Sequence, residues 1–103
     1  MKRKKSQKTK ELKKKDKLFS LSIRQRDGKC VMCGSHKTNQ AAHIFSKKAN
    51  PHLRHDLDNA ITLCYACHFF KCHHSPVEFT FWVIRYLGHK KFKQLYFKSL
   101  FNE

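Results

Sequence analysis

A small α+β domain stapled through cysteine is the fold class that this sequence predicts, and three observations carry it. Four cysteines form two pairs, Cys30-Val31-Met32-Cys33 and Cys64-Tyr65-Ala66-Cys67, which bracket 30 residues. Two such tight turns can aim four thiolates at one point, the arrangement of a tetrahedral zinc site. Between the pairs, short apolar runs read as two strands, and outside them apolar residues recur at helical spacing. The expected order is an N-terminal helix, a two-stranded unit closed by the cysteines, and two C-terminal helices.

A chain this small needs a staple. Residues 1–17 hold ten of the 23 lysines and arginines and, after Met1, only one large apolar residue, Leu12. Such a segment cannot offset its ordering entropy by burial, so a disordered basic arm is expected over 1–17 and a single domain over 18–103. A core of that size buries only roughly 60% of its unfolded surface. Metal or disulfides would both serve. No apolar signal segment stands ahead of the cysteines, and no run nears the ~20 apolar residues that cross a bilayer. The expectation is therefore an intracellular protein with reduced thiols and structural Zn²⁺, not a secreted disulfide miniprotein. Cys72 is left over and reads as a free thiol on a helix.

Each element has its local signal. Phe19 and Ile23 sit one turn apart beside Leu18 and Leu21, and Gly28 stands where a helix would stop, giving a helix over 17–27. The first knuckle follows at 29–34. A strand over 40–45 carries His43; residues 46–58 are polar and irregular around Pro51; a second strand over 59–63 leads into the second knuckle. Residues 65–73 start a helix. Ser75-Pro76-Val77-Glu78 combines an N-cap serine, an N1 proline and an N3 glutamate, which make a capping box. Phe79, Trp82, Val83, Tyr86 and Leu87 then form a core-facing stripe that Gly88 ends, and Phe92, Leu95, Tyr96 and Leu100 repeat the pattern in a last helix. At that spacing these aromatics read as core rather than as a base-stacking platform. The last helix is also a candidate dimer face where the core does not use it.

The charge balance, 23 basic against 7 acidic residues for a net +16, favours a polyanionic partner. Phosphate backbones are the expected one, giving DNA affinity without base readout. The N-terminal lysines lack interleaved aromatic or apolar residues, so a membrane surface is not expected as a partner.

Taken in order, Cys30-x2-Cys33, Ala42-His43-Ile44 and Asp58-Asn59-Ala60-Ile61-Thr62-Leu63-Cys64-x2-Cys67-His68 resemble the zinc-stapled branch of the HNH (ββα-metal) endonuclease family, over roughly residues 18–88. Within it the chain is similar to small phage proteins of the NinG/Rap-like recombination nucleases. The resemblance implies a ββα-metal finger inside the zinc clasp. It implies His43 as the general base, Asn59 as the residue that pins the loop between the strands, and His68 as a ligand of one catalytic cation. It also implies DNA cleavage to 5′-phosphate and 3′-hydroxyl ends in a bacterial cytoplasm. Chemistry agrees, since an imidazole with a pKa near 6.5 accepts a proton at neutral pH. From the residues alone the plainer readings stay open. His43 also reads as a half-buried structural histidine, Asn59 as a turn residue, and His68 as a bystander of its knuckle or a fourth ligand in a Cys3His set.

One position departs from the family pattern. The residue before the base is usually Asp, Glu or His and helps hold the metal; here it is Ala42. His73, five residues beyond His68, is the best substitute, with His74 and Asp58 behind it. A nitrogen-rich set would favour Zn²⁺, Ni²⁺ or Mn²⁺ over Mg²⁺. Arg54 is a candidate phosphate clamp, with Lys47, Lys48 and Lys71 extending that surface. The leading expectation is a metal-dependent DNA endonuclease of phage recombination or DNA processing. The alternative is a non-catalytic zinc-stapled nucleic-acid-binding accessory protein, for which Ala42 marks a lapsed site.

Overall fold

The computed structural model describes residues 7–101. Its elements are helix α1 (Gln7–Asp27), strand β1 (Asn39–His43), two 3₁₀ turns (Pro51–Leu53 and Leu57–Asn59), strand β2 (Ala60–Cys64), a π-helix (Cys67–His73), and helices α2 (Pro76–Leu87) and α3 (His89–Leu100). The fold is mixed α/β with one two-stranded antiparallel sheet, in which Asn39 pairs with Cys64 and His43 with Ala60. No helix among the described residues is long and apolar enough to cross a membrane.

The sheet is covered on both faces, which is why every residue of β2 is buried. Alternation along the strand sorts its side chains. Ala60 packs with Phe19 and Ile23 of α1, and the Thr62 hydroxyl donates to the Ile23 carbonyl at 3.2 Å. Ile61 and Leu63, of opposite parity, enter the main core with Ala42, Phe79 and Val83. Polar bonds fasten α1 to the same strand. Arg26 donates to the carbonyls of Leu57 at 2.6 Å and Ala60 at 2.8 Å, and Asp27 accepts the Thr62 amide at 2.8 Å. Gly28, at φ +75°, then turns the chain out of α1 toward the first knuckle.

Several expected boundaries need correction. Helix α1 begins at Gln7 rather than at 17, so the part of the anticipated arm from 7 to 16 is helical, while residues 1–6 lie outside the described residues. Once Phe19 and Ile23 anchor the C-terminal half, each further residue adds one helical bond, and Lys, Glu and Leu are good helix formers. Asp16 adds a tertiary tie by accepting from Arg54 and His55. The capping box does not form: Ser75 sits at φ −134°, ψ 61°, without a side-chain cap bond. Its backbone carbonyl accepts the Phe79 amide at 2.9 Å, and Glu78 is exposed. The strands run over 39–43 and 60–64, which puts His43 at the end of β1 instead of its middle and Asn59 in the preceding turn.

The two C-terminal helices use only part of their apolar stripes. Phe79, Val83 and Leu95 are buried, whereas Tyr86, Tyr96 and Leu100 are exposed. The segment expected as an ordinary helix over 65–73 is wound as a π-helix from Cys67. That winding shapes the site.

Candidate functional site

Two ligand-bearing clusters lie on the hairpin and the helix that follows it. In the first, one sulfur from each of Cys30, Cys33, Cys64 and Cys67 lies within 4.8 Å of the others. Cys33 and Cys64 Sγ stand 3.6 Å apart. Four thiolates at a Zn–S distance of about 2.3 Å would be roughly 3.8 Å apart, so the set fits a structural metal such as zinc. Local geometry builds it. The Gly34 amide closes the first knuckle on the Cys30 carbonyl at 2.8 Å, a turn that needs the positive φ of +82° only glycine takes freely. The Val31 amide donates to Thr62 at 3.0 Å and ties that knuckle to β2. Burial pushes the Cys30 thiol up, but amide donors from Cys33, Cys64 and Met32 outweigh it and settle it at about 6. Cys67 is pushed up by burial and by its sulfur neighbours. A divalent ion is what would let all four ionise together.

The second cluster lies around a groove of about 680 Å³ whose wall includes His43, Lys47, Lys48, His68, Cys72 and His73. His43 is half-buried. Its ring stacks on Phe19 with centroids 5.6 Å apart, and its Nε2 lies 2.9 Å from the Arg54 carbonyl. A carbonyl oxygen only accepts, so Nε2 carries the hydrogen and Nδ1 keeps the lone pair. Burial, opposed by that carbonyl bond and helped by nearby Lys47, holds the imidazole below its ordinary pKa. His43 is therefore neutral at neutral pH, with one basic nitrogen.

Asn59, fully buried, makes the loop rigid. Its Oδ1 accepts the Phe45 amide at 2.8 Å, and its Nδ2 donates to the carbonyls of Phe45 at 2.9 Å and Leu53 at 3.2 Å. These bonds hold both ends of the segment that presents the Arg54 carbonyl to His43.

His68 lies across the groove on the π-helix. Its Nδ1 is 2.7 Å from Gln40 Oε1, which only accepts, so Nδ1 carries the hydrogen and Nε2 keeps the lone pair. The rings of His68 and His73 are 4.7 Å apart. On an α-helix residues five apart diverge, but π winding bonds i to i+5 and brings the two side by side. Burial and the neighbouring His73 and His43 hold His68 below its ordinary pKa.

Other expected residues fall elsewhere. Arg54 is committed to Asp16 through bonds of 2.8 and 2.6 Å, with His55 on the same carboxylate at 2.7 Å, so its guanidinium is held and not free as expected for a clamp. Lys47 and Lys48 border the groove, whereas Lys71 lines a separate hollow beside Met32 and Trp82. His74 packs on Phe69 at 4.5 Å, and Asp58 pairs with Lys98 at 3.3 Å, so neither joins the second cluster. Ala42 is fully buried in the main core. Sequence reasoning missed Gln40, Asp16 and Cys72. Only Cys72 left a signal, a cysteine placed four residues after His68 and one before His73.

One family model, described as NinG: Bacteriophage Lambda NinG protein, matches residues 1–100. No curated protein and no solved structure matches the chain.

Proposed function

The chain belongs to the bacteriophage lambda NinG family, and from that premise we propose that it is a metal-dependent DNA endonuclease acting in phage recombination. The observation that carries the reading is the shared groove, where His43 faces the same space as His68 and His73. In the proposed reaction a water oxygen bonds to the phosphorus while the P–O3′ bond breaks. The water's proton passes to His43 Nδ1, and the departing 3′ oxygen takes a proton from solvent. The products are a 5′-phosphate and a 3′-hydroxyl. Phe19 and the Arg54 carbonyl keep the imidazole oriented, and the Asn59 bonds keep the carbonyl in place. Lys47 and Lys48 attract the backbone at the rim. His68 and His73 would hold a divalent ion, whose chemistry is to neutralise charge on the phosphoryl and departing oxygens. We equate β1, β2 and the π-helix with the ββα-metal finger of HNH nucleases.

Purified protein incubated with supercoiled plasmid and a panel of Mg²⁺, Mn²⁺, Ni²⁺ and Zn²⁺ should nick it. His43→Ala should abolish nicking while the clasp keeps its zinc. Wild-type protein that cuts no DNA form with any of these ions would end the enzyme reading. A second reading, a zinc-stapled nucleic-acid-binding accessory, draws on Ala42, which buries an apolar methyl where HNH enzymes usually keep a ligand. Under it His43→Ala leaves DNA affinity unchanged and there is no cleavage to lose.

A further inference from the structure

We propose that Cys72 completes a His68–Cys72–His73 site on the π-helix, a thiolate-bearing set that selects a soft divalent ion such as Zn²⁺ over Mg²⁺. One ligand atom from each of the three residues lies within 4.8 Å of the other two. Their spacing along the chain does not by itself bring them together, because on an α-helix neither the first and last of them nor all three share one face. Cys72, four residues after His68, lies on its face, and the i to i+5 winding of the π-helix brings His73 beside them, with the two imidazole rings 4.7 Å apart. Cys72 borders the groove with both histidines and is only partly buried, so an ion there stays within reach of a phosphate.

The supporting shell points the same way. Gln40 takes the Nδ1 hydrogen of His68 and so fixes which nitrogen faces the cation. Three ligands leave a tetrahedral ion one open position, which is what separates a reactive site from the four-thiol clasp. Thiolate and imidazole suit Zn²⁺ and Co²⁺, whereas Mg²⁺ takes oxygen ligands and keeps its waters. The ion's task rests on the nuclease reading above; the ligand set does not, and it can be tested without DNA.

The experiment titrates Co²⁺ into full-length protein whose clasp has first been filled with one equivalent of Zn²⁺. A cobalt–thiolate charge-transfer absorption should grow with the second equivalent. Cys72→Ser should remove that absorption and weaken Co²⁺ binding by at least roughly 10–100-fold, the loss already typical of altering an outer-shell partner. Zinc in the clasp serves as the folding control. His73→Gln should weaken binding similarly but keep the sulfur absorption at saturating cobalt. Wild-type protein without a sulfur band at the second equivalent, or Cys72→Ser binding as tightly as wild type, overturns the site. The two readings fail separately. A sulfur band with no nicking under any metal removes the nuclease and leaves the ligand set, while Mg²⁺-supported nicking without the band does the reverse.

Discussion

The cysteine clasp and the histidine groove are built on the same hairpin and the same following helix, yet they are opposite in design. The clasp gathers four sulfurs from two knuckles that are far apart in sequence, buries three of the four residues, and belongs to the main core. The groove draws its ligand atoms from a single helix, stops at three, and leaves open space beside them with a neutral histidine also lining it. A complete four-sulfur set leaves an ion no open position, whereas an incomplete set next to a cavity can bind something that comes and goes. Position 67 belongs to the first set and position 68 to the second, so one peptide bond separates the two designs.

The strongest way to break this contrast is to remove the clasp. Structural zinc contributes roughly 10–16 kcal/mol in zinc-finger peptides, as much as the whole stability of an ordinary domain, about 5–15 kcal/mol. Cys64→Ser, or a strong chelator, should abolish cooperative unfolding as followed by circular dichroism, and any cleavage should vanish with it. If the clasp variant still melts cooperatively near the wild-type temperature, the four sulfurs are not what holds the fold.

The groove should respond in the other way. Under the proposed mechanism His43→Ala removes the general base, a loss of roughly 10²–10⁴ in rate. It also removes one hydrogen bond and a half-exposed stack, together about 1 kcal/mol of stability. Single-turnover nicking and a melting curve measured on the same sample would show activity lost with little change in melting temperature. Equal losses in both would mean that His43 belongs to the core.

Much of this contrast was legible in the sequence. The clasp and both strands follow from spacing and residue type, because knuckles and strands are local devices whose chemistry is written within a few residues; Asn59 and His68 stood out only through the resemblance to HNH nucleases. What was not legible depended on distant partners. Residues 7–16 have the composition of a solvated arm, yet Asp16 finds Arg54 and His55, and the helix grows back from Phe19 and Ile23. Arg54 reads as a free cation until that carboxylate is placed beside it. Ser75 has the residues of a capping box, but the turn leaving the π-helix sets its backbone where the side chain makes no cap. The π winding itself has no residue signature, so the signal of Cys72 four residues after His68 stayed incomplete, because an α-helix would have pointed His73 elsewhere.

Asn59 links the two regions, since it precedes β2 and locks the loop beside the groove. Asn59→Ala would strand the Phe45 amide and two carbonyls, with a cost of roughly 1–3 kcal/mol for a buried group left unpaired. The chemical midpoint should fall accordingly, zinc content should stay, and nicking should drop because His43 loses its fixed carbonyl. Retained activity at reduced stability would show that the loop need not be rigid.

The pH dependence sharpens the groove's side. Burial holds His43 below the ordinary histidine pKa of about 6.5 in the folded chain. The base therefore stays deprotonated as the pH falls through that value, and the acid limb of kcat/KM should lie below it. Stability moves with the opposite emphasis. The unfolded chain takes up the proton first, so the folded state weakens as pH drops below about 6.5, and His68 contributes in the same direction. An acid limb above that pH would mean that burial does not govern the base.

The smallest expected effect concerns Asp16, whose carboxyl the Arg54 guanidinium holds well below the usual carboxylate range. A depressed carboxylate stabilises the fold above the unfolded value, about 3.9, and loses that contribution as pH falls toward its folded value. Both partners are partly exposed, so Asp16→Asn should cost no more than about 1 kcal/mol at neutral pH. The gap between the two proteins should narrow as pH drops below about 4. Its effect on cleavage tells more. If Asp16 serves the site by steadying the loop whose carbonyl holds His43, releasing Arg54 should slow nicking slightly while any gain in DNA affinity stays independent of Arg54. If Arg54 is the phosphate clamp its residue type suggests, freeing it should tighten DNA binding instead. A nitrocellulose filter titration of Asp16→Asn with and without Arg54→Gln, at one salt concentration, separates these outcomes, because the lost carboxylate raises the net charge by one in either case and only a clamp makes the tightening depend on Arg54.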